Sequence, residues 1–290
     1  MSEPNPMFVV RRILVALDAS RHSLAALEAA VKLAAKMNAE LLGLFVEDAA
    51  LLRLAEIPCA RELLYFSAAE VPLSRASMES RLRVQSEQAR KALAAAAQRA
   101  QVEWSFRTVR GDVSSEVLAA ASDVDLLAMG KGGWSLDRKI RMGSTALALS
   151  TSSIPVLLLP EGGLPPNPSL LVYYDGSPAA KRGLFAALQL EDAGMDGITV
   201  LLEAANEDNA STLQREIDTL AQTAAKKLQY RQIDPDDKTS LPRALEARRT
   251  GVLVLGSREF LKKLPPLDVL LCKTDLSLLL LGNEPNGRIK

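Results

Sequence analysis

The sequence predicts an α/β protein made of two similar halves in tandem, each carrying a parallel sheet. Three observations predict it. Short apolar runs alternate with helical patterns along the chain, and parallel strands need crossovers of about a dozen residues or more between them. The run Ile13-Leu-Val-Ala-Leu17 with Asp18-Ala19-Ser20 after it recurs, 157 residues on, as Leu170-Leu-Val-Tyr-Tyr174 with Asp175-Gly176-Ser177. The run Asp125 to Gly130 recurs, 126 residues on, as Gly251-Val-Leu-Val-Leu-Gly256. The second half is therefore shorter by about 31 residues, the length of a surplus between Glu47 and about Met78. One fold duplicated accounts for the pattern.

In chain order, Ile13 to Leu17 is a buried strand. Ser20 caps a helix to about Met37, with Leu24, Leu27, Val31 and Ala34 on one face. Glu40 to Val46 is the second strand. Within the surplus, Ala49 to Glu56 could form a short amphipathic helix, either a structural lid or packing helix or one that gates a ligand or meets a partner. Leu51, Leu54, Ile57, Leu63, Leu64 and Phe66 are expected to bury against the first half. A long helix from about Ser77 to Ala100 follows, then a strand over Val102–Val109. Gly111 and Asp112 make a turn, and Asp112 caps a helix over Ser114–Ala121. Asp125–Met129 and Pro155–Leu159 are the fourth and fifth strands, and a helix from Ser144 to Thr151 lies between them. Glu161 to Pro168 reads as a linker by its Gly and Pro content. The expected domains are residues 1–161 and 168–290.

Composition removes several function classes. Lysine plus arginine equal aspartate plus glutamate, 35 against 35, so the basic excess of a nucleic-acid binder is missing. Aromatic residues make up 4% of the chain, too few for a base-stacking platform. No apolar run reaches the ~18 residues of a membrane span. The polar start, Met1 to Met7, does not read as a signal peptide. Cys59 and Cys272 stand far apart, with neither disulfide-framework nor metal spacing, which suits a cytoplasmic protein. His22 is the single histidine and is expected on the exposed side of the first helix.

The chemistry is concentrated in Gly130-Lys-Gly-Gly133-Trp-Ser-Leu-Asp-Arg-Lys-Ile-Arg-Met-Gly143-Ser144-Thr145. It follows a buried strand, its glycines let the backbone approach a ligand, and it ends where free N–H groups of a helix start favour an anion. Lys131, Arg138, Lys139 and Arg141 add positive charge. Each residue also has a plain structural alternative. Gly130 and Gly133 could turn the chain, Ser144 could cap a helix, and Asp18 could accept backbone N–H groups. Lys131 and Arg141 could be solvated charges, and Trp134 could anchor the loop to the core.

With its Gly-x2-Gly-x9-Gly-Ser spacing at Gly130, Gly133, Gly143 and Ser144, and with Asp18, Ser20 and Ser23 after the first strand, the first half resembles a universal stress protein domain. The whole chain resembles the two-domain form of that family, strongly over about 8–160 and weakly over 168–282. The resemblance implies open parallel sheets of strand order 3-2-1-4-5, with the second domain truncated. It implies ATP or a related adenine nucleotide as ligand, with or without Mg2+. Asp18 would lie beside the adenosine and Val46 near the adenine. Gly130 and Gly133 would approach ribose and phosphates, and Gly143, Ser144 and Thr145 would hold phosphate oxygens. Fifth strands pair in this family, which implies an internal pseudo-dimer here and leaves a homodimer of whole chains open.

The second half departs from the pattern. Gly256-Ser-Arg-Glu259 has a carboxylate where the second glycine should be, and it would repel phosphates. No Gly-Ser or Gly-Thr pair follows about ten residues on. One nucleotide in the first half is therefore expected. The functional expectation is an ATP-binding stress-response or regulatory module; the alternative is a nucleotide-independent interaction protein with a vestigial loop. Enzyme signatures are missing: neither GxxxxGK[ST] nor GxSxG occurs, and no nucleophile stands with a base, so at most weak ATP hydrolysis is expected.

Overall fold

The computed structural model describes residues 8–58, 60–63, 70–131, 154–165, 167–192, 197–221, 228–248, 250–260 and 275–282. The first half runs β1 (Arg12–Leu17), α1 (Arg21–Met37), β2 (Glu40–Asp48), α2 (Ala49–Leu54), β3 (Arg61–Leu63), β4 (Glu70–Pro72), α3 (Arg75–Ala100), β5 (Trp104–Gly111), α4 (Val113–Ala121), β6 (Leu126–Gly130) and β7 (Val156–Leu159). The second runs β8 (Leu170–Tyr174), α5 (Pro178–Asp192), β9 (Ile198–Glu203), α6 (Glu207–Ala221), β10 (Leu228–Ile233), α7 (Ser240–Glu246), β11 (Thr250–Leu255) and β12 (Asp275–Leu280).

The helix ends are written in the sequence. The Ser20 hydroxyl accepts the Ser23 N–H at 3.2 Å, and Asn38 closes α1 in the left-handed region with φ 52°. Ser74 and Ser77 form a reciprocal capping box at the start of α3, and Gln101 ends that helix at φ 53°. At α4, the Asp112 carboxylate takes the Ser115 N–H at 2.9 Å and the Ser115 hydroxyl at 2.8 Å. Those bonds hold the Asp112 carboxyl below its ordinary value, the backbone N–H contributing most. The stabilisation is complete above ~pH 3.9, the ordinary aspartate value, and is lost as pH falls through the lowered one. Replacing Asp112 by Ala should cost about 1 kcal/mol and lower Tm by about 2–4 °C in a thermal melt near neutral pH. The difference should shrink in strong acid.

Strand order is β5-β2-β1-β6-β7-β12-β11-β8-β9-β10, a single open sheet of ten strands. Each half thus has the order third-second-first-fourth-fifth, and every pair within a half is parallel. The two expected sheets are continuous because β7 and β12 pair antiparallel, with Leu158 opposite Leu278 and Leu157 opposite Leu279. β6, β7 and β8 are buried along their whole length, as central strands covered by helices must be. β5, at the edge, alternates between half-buried and exposed positions over much of its length. One core layer joins Ile13, Leu27 and Leu93 with Val172, Leu184 and Val254. The other joins Leu14, Val117 and Leu127 with Leu253 and Leu278. Both layers run across the seam.

Four expectations are corrected. β2 continues two residues past Val46 to Asp48, and β5 extends to Gly111, so Asp112 alone begins the turn. α2 stops at Leu54, and the residues it buries are Leu52 and Ala55, at 4% and 6% exposure. Leu54 and Ile57 are exposed at 46% and 54%, because a six-residue helix turns only one narrow stripe inward. The surplus also contains an antiparallel hairpin, β3 with β4, whose three-residue strands are too short for alternation to be read from sequence. Arg75, paired with Glu56 and Glu79, ties the end of the α2 segment to α3. The side chains of Leu63, Leu64 and Phe66 lie outside the described residues.

Candidate functional site

In a sheet of this order the connections from β1 and β6 leave toward opposite sides, so a crevice opens at the carboxyl ends of these neighbours. Asp18, Ala19 and Ser20 follow β1 at that end, and Gly130, the last residue of β6, and Lys131 stand beside them. Val46, Glu47 and Asp48 end the adjacent β2.

Asp18 is first of all a turn residue. Its Oδ1 accepts the Ser20 N–H at 2.9 Å, and its own N–H donates to the Ser23 hydroxyl at 3.3 Å. Ala19 between them has φ 59°, a left-handed conformation disfavoured for any residue with a Cβ. The second half builds the same turn with the residue suited to it: Gly176 has φ 80°, and Asp175 Oδ1 accepts the Ser177 N–H at 3.0 Å. The Asp-x-Ser pattern thus serves backbone geometry in both halves, and Asp18 accepts a backbone N–H as the sequence allowed.

Gly130 owes its lack of a side chain to packing. A Cβ there would lie 2.6 Å from His22 Cβ and 2.7 Å from the His22 carbonyl carbon, in the first turn of α1. Gly256 occupies the same register in the second half, where a Cβ would lie 1.7 Å from the Ala179 oxygen. Gly130 is not among the described glycines with positive φ, so a turn is not the reason either. Val46 is 4% exposed and packs in the layer that holds Leu14, Val113 and Val117. Gly133, Gly143, Ser144 and Thr145, with Trp134, Arg138, Lys139 and Arg141, lie outside the described residues.

Lys131 is neither a solvated charge nor simply a neighbour of the loop. Its N–H donates to Leu159 O at 2.7 Å, and its ammonium donates to the main-chain oxygen of Leu276 in the second half. His22 also sits differently from the sequence expectation. Its side chain is 31% exposed, its Nε2 is 3.8 Å from Glu161, and its buried Nδ1 has no hydrogen-bond partner among the described residues. Arg21 approaches the same Glu161 at 3.7 Å. The signal was available: His22 stands two residues after the cap, on the turn that must cross the end of β6.

The equivalent crevice of the second half is filled differently. Glu203 holds the register of Val46, with its Oε2 buried and lacking a hydrogen-bond partner among the described residues. Tyr173 holds the register of Ala16, and Phe260 packs edge-on against it with ring centroids 4.8 Å apart. Arg258 is 7% exposed and donates to Ile154 O at 2.7 Å, and burial lowers its pKa to about 10. Glu203 and Tyr173 thus stand where the first half has Val46 and Ala16, and Phe260 where it has Trp134. Among the described residues there is no group of three His, Cys, Asp or Glu placed to hold a metal ion. No described helix is long and apolar enough to cross a membrane.

Comparison with known proteins follows the same lines. The model of the universal stress protein family matches residues 10–160. A universal stress protein from Archaeoglobus fulgidus superposes with TM-score 0.68 at 18% identity, over 97% of this chain and 99% of its own. Two chains from Pseudomonas aeruginosa also span nearly the whole length. One, described as functionally unknown, gives TM-score 0.53 at 15% identity over 96% of this chain and 94% of its own. The other gives TM-score 0.55 at 16% identity over 96% and 95%. At these identities the likeness is one of fold. No curated protein matches the chain.

Proposed function

The chain belongs to the universal stress protein family, and from that premise we propose that its first half binds ATP or a related adenine nucleotide and that the chain works as a stress-response or regulatory module. One observation carries the reading. The crevice between β1 and β6 opens where the run Gly130-x2-Gly133-x9-Gly143-Ser144-Thr145 begins, so the phosphate-binding sequence starts at the lip of the switch point. The donor set at that lip suits a nucleotide, with a carboxylate at Asp18 for ribose hydroxyls and an ammonium at Lys131 for phosphate. Val46 would lie toward the base, and Gly133, Gly143, Ser144 and Thr145 would hold phosphate oxygens. A Mg2+ bound through the phosphates would keep most of its own waters and needs no cage of protein ligands. A cytoplasmic setting, where ATP is abundant, fits this role.

A second reading, an interaction protein with a vestigial loop, is favoured by one fact. Gly130 is demanded by α1 packing alone, so its presence does not by itself speak for a ligand. Two measurements separate the readings. Mass analysis of ligand released from freshly purified, denatured protein should find adenine nucleotide. Calorimetric titration into stripped protein should give one ATP per chain, with no binding in Gly143→Val. In Ser144→Ala the loss should be about 1.5–3 kcal/mol, that of a charge-assisted hydrogen bond. Asp18→Asn keeps the acceptor for Ser20, so it should fold normally yet bind ATP about tenfold more weakly. Two sites per chain, or undiminished binding in Gly143→Val, would overturn the one-site reading.

A further inference from the structure

Two cations cross the seam between the halves in the same way. Lys131, the residue after Gly130, donates to Leu276 O at the start of β12. Arg258, two residues after Gly256, donates to Ile154 O just before β7. The pairs Leu158–Leu278 and Val156–Leu280 exchange with one another under a shift of 122 residues. The same shift carries Ile154 onto Leu276, so the two acceptors are equivalent, while the two donors stand one residue apart in the repeat.

Their surroundings differ. Arg258 is 7% exposed and is followed by Glu259 and by Phe260, which packs on Tyr173. Lys131 is only half-buried and opens the glycine run of the first half. Its backbone is fixed by the bond to Leu159 O, while its side chain is a flexible four-carbon stem ending in a point charge. The carbonyl of Leu276 is a neutral acceptor. A phosphate oxygen is an ionised one, so it adds a Coulomb attraction for the ammonium that the carbonyl lacks.

We infer that Lys131 is a positioning residue that exchanges Leu276 for a nucleotide phosphate and thereby reports occupancy of the first-half site to β12 in the second half. The inference rests on the nucleotide reading given above. It assigns the second half a purpose although its own crevice is filled: it receives the signal. Linkage makes the effect reciprocal: a partner of β12 whose affinity the nucleotide changes alters nucleotide affinity by the same factor. Arg258 does not respond, because its half has no equivalent glycine run in sequence.

The test is amide hydrogen exchange over Asp275–Leu280 in the full chain, with and without saturating ATP, alongside calorimetric ATP affinity. In the unaltered protein, ATP should make exchange at this segment severalfold faster as the Lys131 bond is withdrawn. Lys131→Met should bind ATP severalfold more weakly and show no ATP-dependent change there. Lys131→Arg, which can still reach the carbonyl, should restore the response, and Arg258→Met should leave it intact. ATP binding without a change at β12, or an undiminished response in Lys131→Met, would overturn the coupling alone. Absence of ATP binding to the unaltered chain would overturn the nucleotide reading and the coupling together.

Discussion

Replacing Gly256 by alanine should unfold the second half. An ideal Cβ at that position lies 1.7 Å from the oxygen of Ala179, 2.5 Å from its carbonyl carbon and 3.1 Å from the nitrogen of Gly183. All three are main-chain atoms of α5, so no rotamer change can relieve the contact. The helix must move off the sheet by more than an ångström, and the core beneath it contains Ala180, Leu184 and Ala187, all fully buried. A cost above ~4 kcal/mol is expected, the size that follows only from severe steric or burial faults. Domains have only about 5–15 kcal/mol in hand. Urea denaturation followed by circular dichroism gives the number. Gly162→Ala is the control, since a Cβ there has nothing within 4 Å and should leave the midpoint unchanged. If Gly256→Ala unfolded within about 1 kcal/mol of the parent, the close approach of helix and strand would be wrong.

The same contact bears on how ligand-binding variants are read. Gly130→Ala places its Cβ 2.6–2.8 Å from atoms of His22, tighter than real contacts but looser than at Gly256, and should cost about 1–3 kcal/mol. It would displace α1, and with it the Asp18 turn. Lost nucleotide binding in that variant would therefore say nothing about a contact between Gly130 and ligand. Gly143→Val, at a residue proposed to hold a phosphate oxygen, is the variant to use instead.

Much of the scaffold was legible because its determinants are local. Apolar runs bounded by Asp18 and Gly130 gave the central strands, Ser20 and Asp112 gave the helix starts, and the uniformly apolar Val156–Leu159 gave the fifth strand of the first half. The family and fold followed from the spacing of Gly130, Gly133, Gly143 and Ser144. What escaped the sequence depends on contacts between distant segments. Nothing local says that Gly130 faces His22, that Lys131 reaches Leu276, or that Tyr173 and Phe260 meet in the second crevice. Comparing the halves residue by residue carries part of that information. Ala16 and Val46 align with Tyr173 and Glu203, two changes in bulk and charge that help tell the second crevice from the first. The hairpin β3–β4 gave no signal, since three residues cannot display a period.

A second large effect is expected at the seam. Leu158 is fully buried, lies directly opposite Leu278 across the antiparallel pair, and shares a core layer with Leu127, Leu253 and Leu278. Leu158→Asp loses the leucine's burial and puts a carboxyl where its surroundings are apolar, so at least ~4 kcal/mol should be lost near neutral pH. Burial should raise the pKa of the new carboxyl. Its penalty is therefore smallest below ~pH 3.9, where the unfolded form is also protonated, and grows as pH rises past that value until the raised one is passed. The effect on cooperativity says more than the loss itself. Each core layer takes residues from both halves, so the parent chain should unfold in a single transition despite its repeated strand order. Leu158→Asp cuts the layer where the halves join and should give two transitions, or leave one half unfolded. Leu41→Ala, equally buried but in β2 away from the seam, should cost about 2–5 kcal/mol while keeping one transition. Two transitions in the parent would mean that the halves are held by little more than the β7–β12 hydrogen bonds. A single transition in both parent and Leu41→Ala, split only by Leu158→Asp, would place the cooperativity of the whole chain in the side chains packed across that one pair of strands.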